Sequence, residues 1–549
     1  MTARANLLIY MMGRSRCICS GAFLVVATGL FAISCKKGTD CNVGRRPNIL
    51  IAVADDQSYP HAGAYGCDWV RTPAFDRVAR DGILMENFYT SNSKSAPSRA
   101  SLLTGMYSWQ LEDIGNHLAI WPEGRFTTVI EALASNGYNA AFTGKGWAPG
   151  DPGKVNGEPR RLTGIPYQRH KLKPKTSGIA AVDYASNFKE FISDVSREDK
   201  PWVFWFGSRE PHRAYEYGSG VSCGGMSVDM IDEVPAYWPD DEVTRNDMLD
   251  YSYEISHFDE HLGRMIKTLE EIGELDNTII IVTADNGMPF PRCKGFGYEH
   301  STHLPFAVMW PDGIASPGRR DSSLLTMVDI APTLLALAGV EPEDVGMTPE
   351  GKDFLDILSD SPRKDRNFLL FGQERHDYGR PENQGFPIRS IQSEGFLYMY
   401  NFKPWLWPSC NPETGYLNTD GSPVKTSILK LRREGADTLL WHHSFGKKPQ
   451  EELYDLEVDP ECMNNLADDP AYVDIRESLR AKLFAQLIRQ NDPRMGDDGD
   501  IFDRYPFNDQ SNQDFYERFM SGEIREYQTG WVNPSDYEPA AFVKSSGPF

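Results

Sequence analysis

Residues Asn48-Ile49-Leu50-Ile51-Ala52-Val53-Ala54 form a near-continuous apolar run, and Asp55-Asp56 follow it directly. A strand that is apolar on both faces must be covered on both, which belongs to the buried sheet of an α/β protein. The segments 138–143, 202–206 and 278–283 repeat that character. Helical periodicity at 128–135, 251–272 and 327–337 separates or follows them. The last of these helices carries Pro332 close enough to its start to be tolerated. The pattern predicts an α/β fold from about residue 46 to about 365, with a mostly parallel sheet flanked by helices. Beyond residue 367 the strands shorten (368–371, 396–400) and Pro, Gly and aromatic residues crowd between them. A smaller α+β subdomain with an antiparallel sheet and a helix at 474–489 is predicted there. The expected divisions are 47–366 for the main domain, 367–490 for the subdomain, and 491–549 for an acidic, aromatic tail that wraps back. Asp497, Asp498 and Asp500 in that tail lack EF-hand spacing and read as a solvated turn.

The N-terminus reads as a targeting segment. Arg14 and Arg16 precede an apolar stretch at 22–33 that is short for a membrane span and suits a signal h-region. Residues 1–34 are the expected signal peptide. The sequence Ala32-Ile33-Ser34-Cys35 looks like a bacterial lipobox, in which Cys35 is lipidated and 35–46 form a tether. A plain secretory signal with an incidental Cys35 is the alternative. Either reading exports the chain, and the first makes it a periplasmic or outer-membrane lipoprotein of a bacterium, attached to the membrane through its lipid. Of nine cysteines, Cys17 and Cys19 fall in the leader, and no CxxC pair occurs among the others, which argues against structural zinc. A net charge of −22 excludes nucleic acid as a partner and leaves polyanions only a locally basic pocket.

Two polar pairs stand just past strands: Asp55-Asp56, and Asp285-Asn286 after 278–283. Groups at the carboxyl ends of parallel strands converge on one edge, where ligands bind. Three carboxylates and an amide oxygen make a hard donor set for Ca²⁺ or Mg²⁺. A turn or helix cap is the ordinary fate of either pair taken singly. Between them lies Ser95-Ala96-Pro97-Ser98-Arg99, continued by Ala100-Ser101-Leu102-Leu103-Thr104-Gly105. Pro97 suits a first helical turn, which places Ser95 at a helix N-terminus where anions are favoured. Arg99 lies one turn on, on the same side. Lys145 in Gly144-Lys145-Gly146 and Lys294 add two cations; the glycine spacing is not that of a P-loop. His212 stands in Glu210-Pro211-His212-Arg213 after the strand 202–206, and histidine is the side-chain type suited to proton donation near neutral pH.

The 95–105 segment resembles the active-site signature of the type I sulfatases. So do Pro47-Asn48-Ile49-Leu50 leading to Asp55-Asp56, Asp259 with Leu262-Gly263, and Val328-Asp329-Ile330-Ala331-Pro332-Thr333-Leu334. Glu452-Leu453-Tyr454-Asp455-Leu456, with Asp459-Pro460 and Asn465-Leu466, is similar to a motif of that family's C-terminal subdomain. The resemblance implies an alkaline-phosphatase-like core. It implies that a maturation enzyme oxidises Ser95 to formylglycine, whose hydrate attacks the sulfate sulfur and then collapses. It further implies calcium on Asp55, Asp56, Asp285 and Asn286 with residue 95 completing the shell. Arg99, Lys145 and Lys294 would grip the sulfate, and His212 would protonate the leaving group. A serine precursor points to a bacterial radical maturase that works without oxygen.

One position departs from the pattern. The family carries a histidine two residues after its Gly-Lys lysine, and Trp147 stands there. His117 and His376 are the substitutes to test. Asp285 to Pro291, Glu210 to Arg213, Phe371 to His376 and Phe386 to Ile391 are similar to the N-sulfoglucosamine sulfohydrolase group. That similarity implies Glu374, Arg375 and His376 near a sugar, with a structural ion pair and a core histidine as the alternative; His117 is a further candidate for substrate binding. Trp405 and Trp407 suit sugar stacking or packing under a Pro-rich loop. The expected activity is removal of sulfate from a sulfated oligosaccharide. Two alternatives stay open. One is a phosphatase or phosphodiesterase on the same fold, disfavoured by Asn286 and by only 11 histidines. The other is a glycan-binding lipoprotein without catalysis.

Overall fold

The computed structural model describes residues 45–525 and 531–539. The expected signal peptide, Cys35 and most of the tether lie outside them. Nine strands build the main sheet: β1 (Asn48–Ala54), β2 (Ile83–Tyr89), β3 (Asn139–Gly144), β4 (Ile165–Pro166), β5 (Trp202–Gly207), β6 (Thr278–Ala284), β7 (His303–Met309), β8 (Arg319–Asp321) and β9 (Leu325–Thr326). Their order is β8-β2-β7-β6-β1-β5-β3-β4, with β9 also paired to β2. β1, buried at every residue, runs parallel to both β6 and β5. Only β7 breaks the parallel arrangement, antiparallel to β6 and β2. Its apolar run could not have revealed this, because a strand buried on both faces looks alike in either direction.

The register sets the site. Ala54 pairs with Ala284, so Asp55 and Asp285 leave the sheet edge level with one another. Gly144 pairs with Gly207, which brings Lys145 to the same edge. Gly144 allows that closeness: a Cβ there would lie 2.0 Å from the Gly207 carbonyl oxygen.

Helices cover both faces: α1 (Pro73–Asp81), α2 (Ser95–Thr104), α3 (Val129–Ser135), α4 (Tyr184–Val195), α5 (Glu242–Ile272) and α6 (Ile330–Ala338). α5 starts well before the expected residue 251. Asp241 caps it by accepting the Thr244 N–H, and its polar first turns carry no apolar stripe to mark them. α2 is buried along its whole length, which its small residues Ala96, Ser98 and Ala100 permit.

The C-terminal sheet is antiparallel, in the order β10 (Leu369–Gln373), β11 (Ile388–Ser393), β12 (Phe396–Asn401), β13 (Glu451–Asp455). Helix α7 (Val473–Arg489) buries Leu479, Leu483 and Leu487 with Leu370, Ile391, Tyr398 and Leu453. Between β12 and β13 the chain makes a long excursion, residues 402–450, which carries the helices Pro423–Arg433 and Leu439–Phe445. The tail packs Phe507, Phe515 and Val532 against Tyr378, Cys410 and Leu417.

Asp259 of α5 ties the helical layer together. Its carboxylate accepts the N–H groups of Ala74 and Phe75 at 2.8 and 2.7 Å, at the start of α1. Asp259→Ala leaves both buried donors without an acceptor. It should lower the unfolding free energy by about 1–3 kcal/mol in denaturant titrations.

Candidate active site

The acidic pairs meet. Asp55, Asp56 and Asp285 are buried, and each offers a carboxylate oxygen within 4.8 Å of the others. Asp56 takes a left-handed backbone conformation (φ 74°), which Asp tolerates better than most residues, and turns the chain away from β1 at once. Asp285 Oδ1 accepts the N–H of Asp56 at 3.0 Å and that of Asn286 at 2.9 Å. Asn286 Nδ2 donates to Asp56 Oδ1 at 2.7 Å.

α2 delivers Ser95 and Arg99 into this cluster. Ser95 Oγ donates to Asp55 Oδ1 at 3.2 Å. Arg99 Nε donates to Asp285 Oδ2 at 2.8 Å and Nη2 to Asp55 Oδ1 at 3.3 Å. Ser98 Oγ donates to the Asp285 carbonyl, fixing the helix against the end of β6. From the end of β3, Lys145 Nζ donates to Asp55 Oδ1 and Oδ2 at 2.6 and 2.8 Å and to Ser95 Oγ at 3.0 Å. Burial by itself would raise the Asp55 pKa; Lys145, then Arg99, overcome it and hold the carboxyl well below the usual range. Lys294 Nζ donates to Asp56 Oδ2 at 2.7 Å.

His212 is the ring at this edge that water reaches, with 35 % of its side chain exposed. Its Nδ1 faces the Arg213 carbonyl at 2.6 Å, so that nitrogen carries the proton. Nε2 then points into the cluster, 3.8 Å from Asp56 Oδ2.

Sequence reading missed four residues here. Lys94, just before Ser95, pairs with Asp377 at 2.7 Å and donates to Asn418 Oδ1 at 3.1 Å. Asp420 accepts from Lys294 at 3.2 Å. Asn418 and Asp420 come from the 402–450 excursion, and no local motif marked them. The adjacency of Lys94 to Ser95 was the one available signal.

The residues expected near a sugar divide. His117 Nδ1 lies 3.2 Å from Asp377 Oδ1, and His376 Nε2 lies 2.8 Å from Asn92 Oδ1. Burial lowers the pKa of both rings. Neither hydrogen-bonds Ser95. Trp147, at the departing position, donates Nε1 to the Ala96 carbonyl at 2.9 Å and packs edge-on against Trp121. Trp407 packs near Trp441, whereas Trp405 is 60 % exposed.

Glu374 and Arg375 are both buried in contacts away from Ser95, as the structural alternative for them has it. Glu374 is spent on Arg389 and Arg494, both at 2.6 Å, in a network whose other acids are Asp492 and Asp500. Arg375 donates to the Tyr505 carbonyl at 2.7 Å and covers the Phe507 ring at 3.9 Å, so it anchors the tail. Removing one member of a buried charge network strands its partners. Glu374→Leu should therefore cost about 3–5 kcal/mol of stability. Glu374→Gln should leave KM for a sulfated substrate unchanged; a raised KM at unchanged stability would return Glu374 to the sugar.

Comparison with known proteins identifies the family. Residues 47–340 match the sulfatase family model, and residues 292–392 match the C-terminal region of N-sulphoglucosamine sulphohydrolase. An ulvan-active sulfatase of Formosa agariphila is 25% identical over 535 residues, covering 87% of this chain and 82% of that protein. Human N-sulphoglucosamine sulphohydrolase is 25% identical over 484 residues, covering 82% of this chain and 91% of its own. The fold is shared with BT4656, solved in complex with its substrate D-glucosamine-2-N,6-O-disulfate, at a TM-score of 0.58 and 20% identity over 82% of this chain and 99% of that one. With its acidic strand ends, its buried serine helix and a matching model across more than half its length, the chain belongs to the sulfatase family and is a sulfate-releasing hydrolase.

Proposed function

We propose that this enzyme removes sulfate from a sulfated glycan, using a formylglycine made from Ser95 beside a calcium ion held by Asp55, Asp56, Asp285 and Asn286. The observation that carries the reading is the surrounding of Ser95 Oγ. It lies against Lys145 and Asp55, and no histidine hydrogen-bonds it among the described residues. An unmodified serine needs an adjacent base to become a nucleophile. Here the one carboxylate that accepts from it, Asp55, is held well below the usual carboxylate range and is a poor base, and Lys145 donates to the same oxygen. A hydrated aldehyde at this position supplies its own second hydroxyl for the collapse that releases sulfate.

The donor set fits a hard divalent cation. It offers three carboxylates, and Asn286 Oδ1 is buried without a hydrogen-bond partner. Magnesium would accept the same donors with a stricter geometry. When bound, the ion supplies positive charge against the oxygens of the anion.

The chain's own residues do the rest. Lys145 and Arg99 hold Asp55 and residue 95 in fixed relation, and Lys294 adds the third positive charge, so negative charge growing on the sulfate oxygens meets preorganised cations. The bond from sulfur to the sugar oxygen breaks, and that oxygen needs a proton. His212 Nε2 faces the site and is open to solvent, so in its protonated form it donates. The names of the ulvan-active sulfatase and of N-sulphoglucosamine sulphohydrolase support a glycan substrate, on an N- or O-sulfate. Residues 1–34 and Cys35 support export and a lipid tether to a bacterial membrane.

Ser95→Ala should abolish sulfate release from sulfated oligosaccharides, followed by ion chromatography, with an unchanged circular dichroism spectrum. Retained activity sinks the mechanism, and so does native-host protein whose residue-95 peptide carries only intact serine. Asp285→Ala should lose calcium binding by calorimetry together with activity. Full turnover in excess chelator would remove the metal from the account.

A further inference from the structure

The ammonium of Lys294 stands between two carboxylates. Asp56 Oδ2 lies 2.7 Å away and Asp420 Oδ2 3.2 Å away. Asp56 follows β1 and belongs to the metal donor set. Asp420 comes from the 402–450 excursion of the C-terminal subdomain and is 8 % exposed. Carboxylate oxygens of Asp56 and Asp420 and a ring nitrogen of His212 all fall within 4.8 Å of one another.

A divalent cation and an ammonium compete for Asp56. Two positive charges a few ångströms apart repel strongly, and repel most where water is excluded. A buried ammonium that loses its only partner is costly. Lys294 therefore needs a second carboxylate if it is to stay at the site once a metal claims the first. Burial works against the charged form of Lys294, while Asp420 foremost, then Asp56, hold its pKa well above the ordinary lysine value.

The loop that presents Asp420 is built to stay in place. The buried Lys425 Nζ donates to the carbonyls of Gly415, Tyr416 and Thr419 at 2.8, 3.3 and 2.7 Å. Gly421 N–H donates to the Trp531 carbonyl of the tail at 2.6 Å. Asn418 is pinned on the other side by Lys94. A fixed carboxylate can hold an ammonium that its other partner releases; a mobile one would follow the ammonium out.

We propose that Asp420 is a positioning residue for Lys294, keeping that ammonium at the anion site when the divalent ion takes Asp56. The proposal rests on the calcium reading above. Without Asp420, Lys294 stays bound to Asp56 and competes with the metal, so the effect of Asp420 on calcium runs through Lys294.

Calorimetric titration of calcium into the full chain tests this in the wild type, D420N, K294M and the double variant. D420N should weaken calcium binding about tenfold, the worth of one charge-assisted contact. In the K294M background the same change should move affinity by less than about twofold. Asp420→Glu should bind calcium like the wild type. If D420N unfolds near the assay temperature, the calcium-induced rise in Tm replaces affinity, with the same contrast expected. Equal weakening with and without Lys294 would show Asp420 acting on the metal directly and overturn the proposal. No effect of D420N would overturn it as well. If the wild type binds calcium and the cycle is additive, only the role of Asp420 falls. If the wild type binds none, the metal reading falls and takes this one with it.

Discussion

Arg99 lies fully buried between Asp55 and Asp285, and the rest of the site depends on it. Parallel pairing of β1 with β6 forces those two carboxylates to leave the sheet together. Unpaired, two such charges near 4 Å apart would repel by about 4 kcal/mol at an effective dielectric of 20. The guanidinium turns that repulsion into a bridge, with Nε on one acid and Nη2 on the other. Its rigid fork suits the task better than an ammonium would. Because Arg99 is one helical turn from Ser95, the same bridge fixes the height and rotation of α2, and so the place of residue 95.

A second layer of charge comes from far along the chain. Lys94 and Lys294 flank the cluster, and each is met by the C-terminal subdomain: Lys94 by Asp377 and Asn418, Lys294 by Asp420. These contacts explain why the subdomain is not an appendage. It completes the charge balance of a pocket whose cations would otherwise lie too close together, and the tail holds it down through Trp531.

What the sequence made legible follows from what is local. The strand β1 and the pairs at its end and at the end of β6 could be read because apolar continuity and a following Asp are features of adjacent residues. Ser95, Arg99 and Lys145 could be read because the short segments that carry them resemble sulfatase motifs, and helix and strand-end geometry agrees with that resemblance. Asp420 could not, since 126 residues separate it from Lys294 and nothing near it is distinctive. Glu374 and Arg375 stayed open between two readings for a related reason. A charged tripeptide after a strand looks the same whether it meets a ligand or a buried arginine, and Arg389, Arg494 and the tail decide the matter only in three dimensions.

Trp147 shows how the site accommodates its one departure. The indole gives its single donor to the Ala96 carbonyl in the first turn of α2, and its ring packs on Trp121. Both contacts are with the scaffold, so Trp147 braces the helix that carries residue 95 and has no proton to exchange there. The groups that do touch Ser95 Oγ are Lys145 and Asp55, themselves joined by short hydrogen bonds. The surroundings of residue 95 and the charge at this sheet edge are therefore set by the same two side chains. Replacing either Lys145 or Asp55 thus removes a hydrogen-bond partner of Ser95 and unbalances the buried charge beside it.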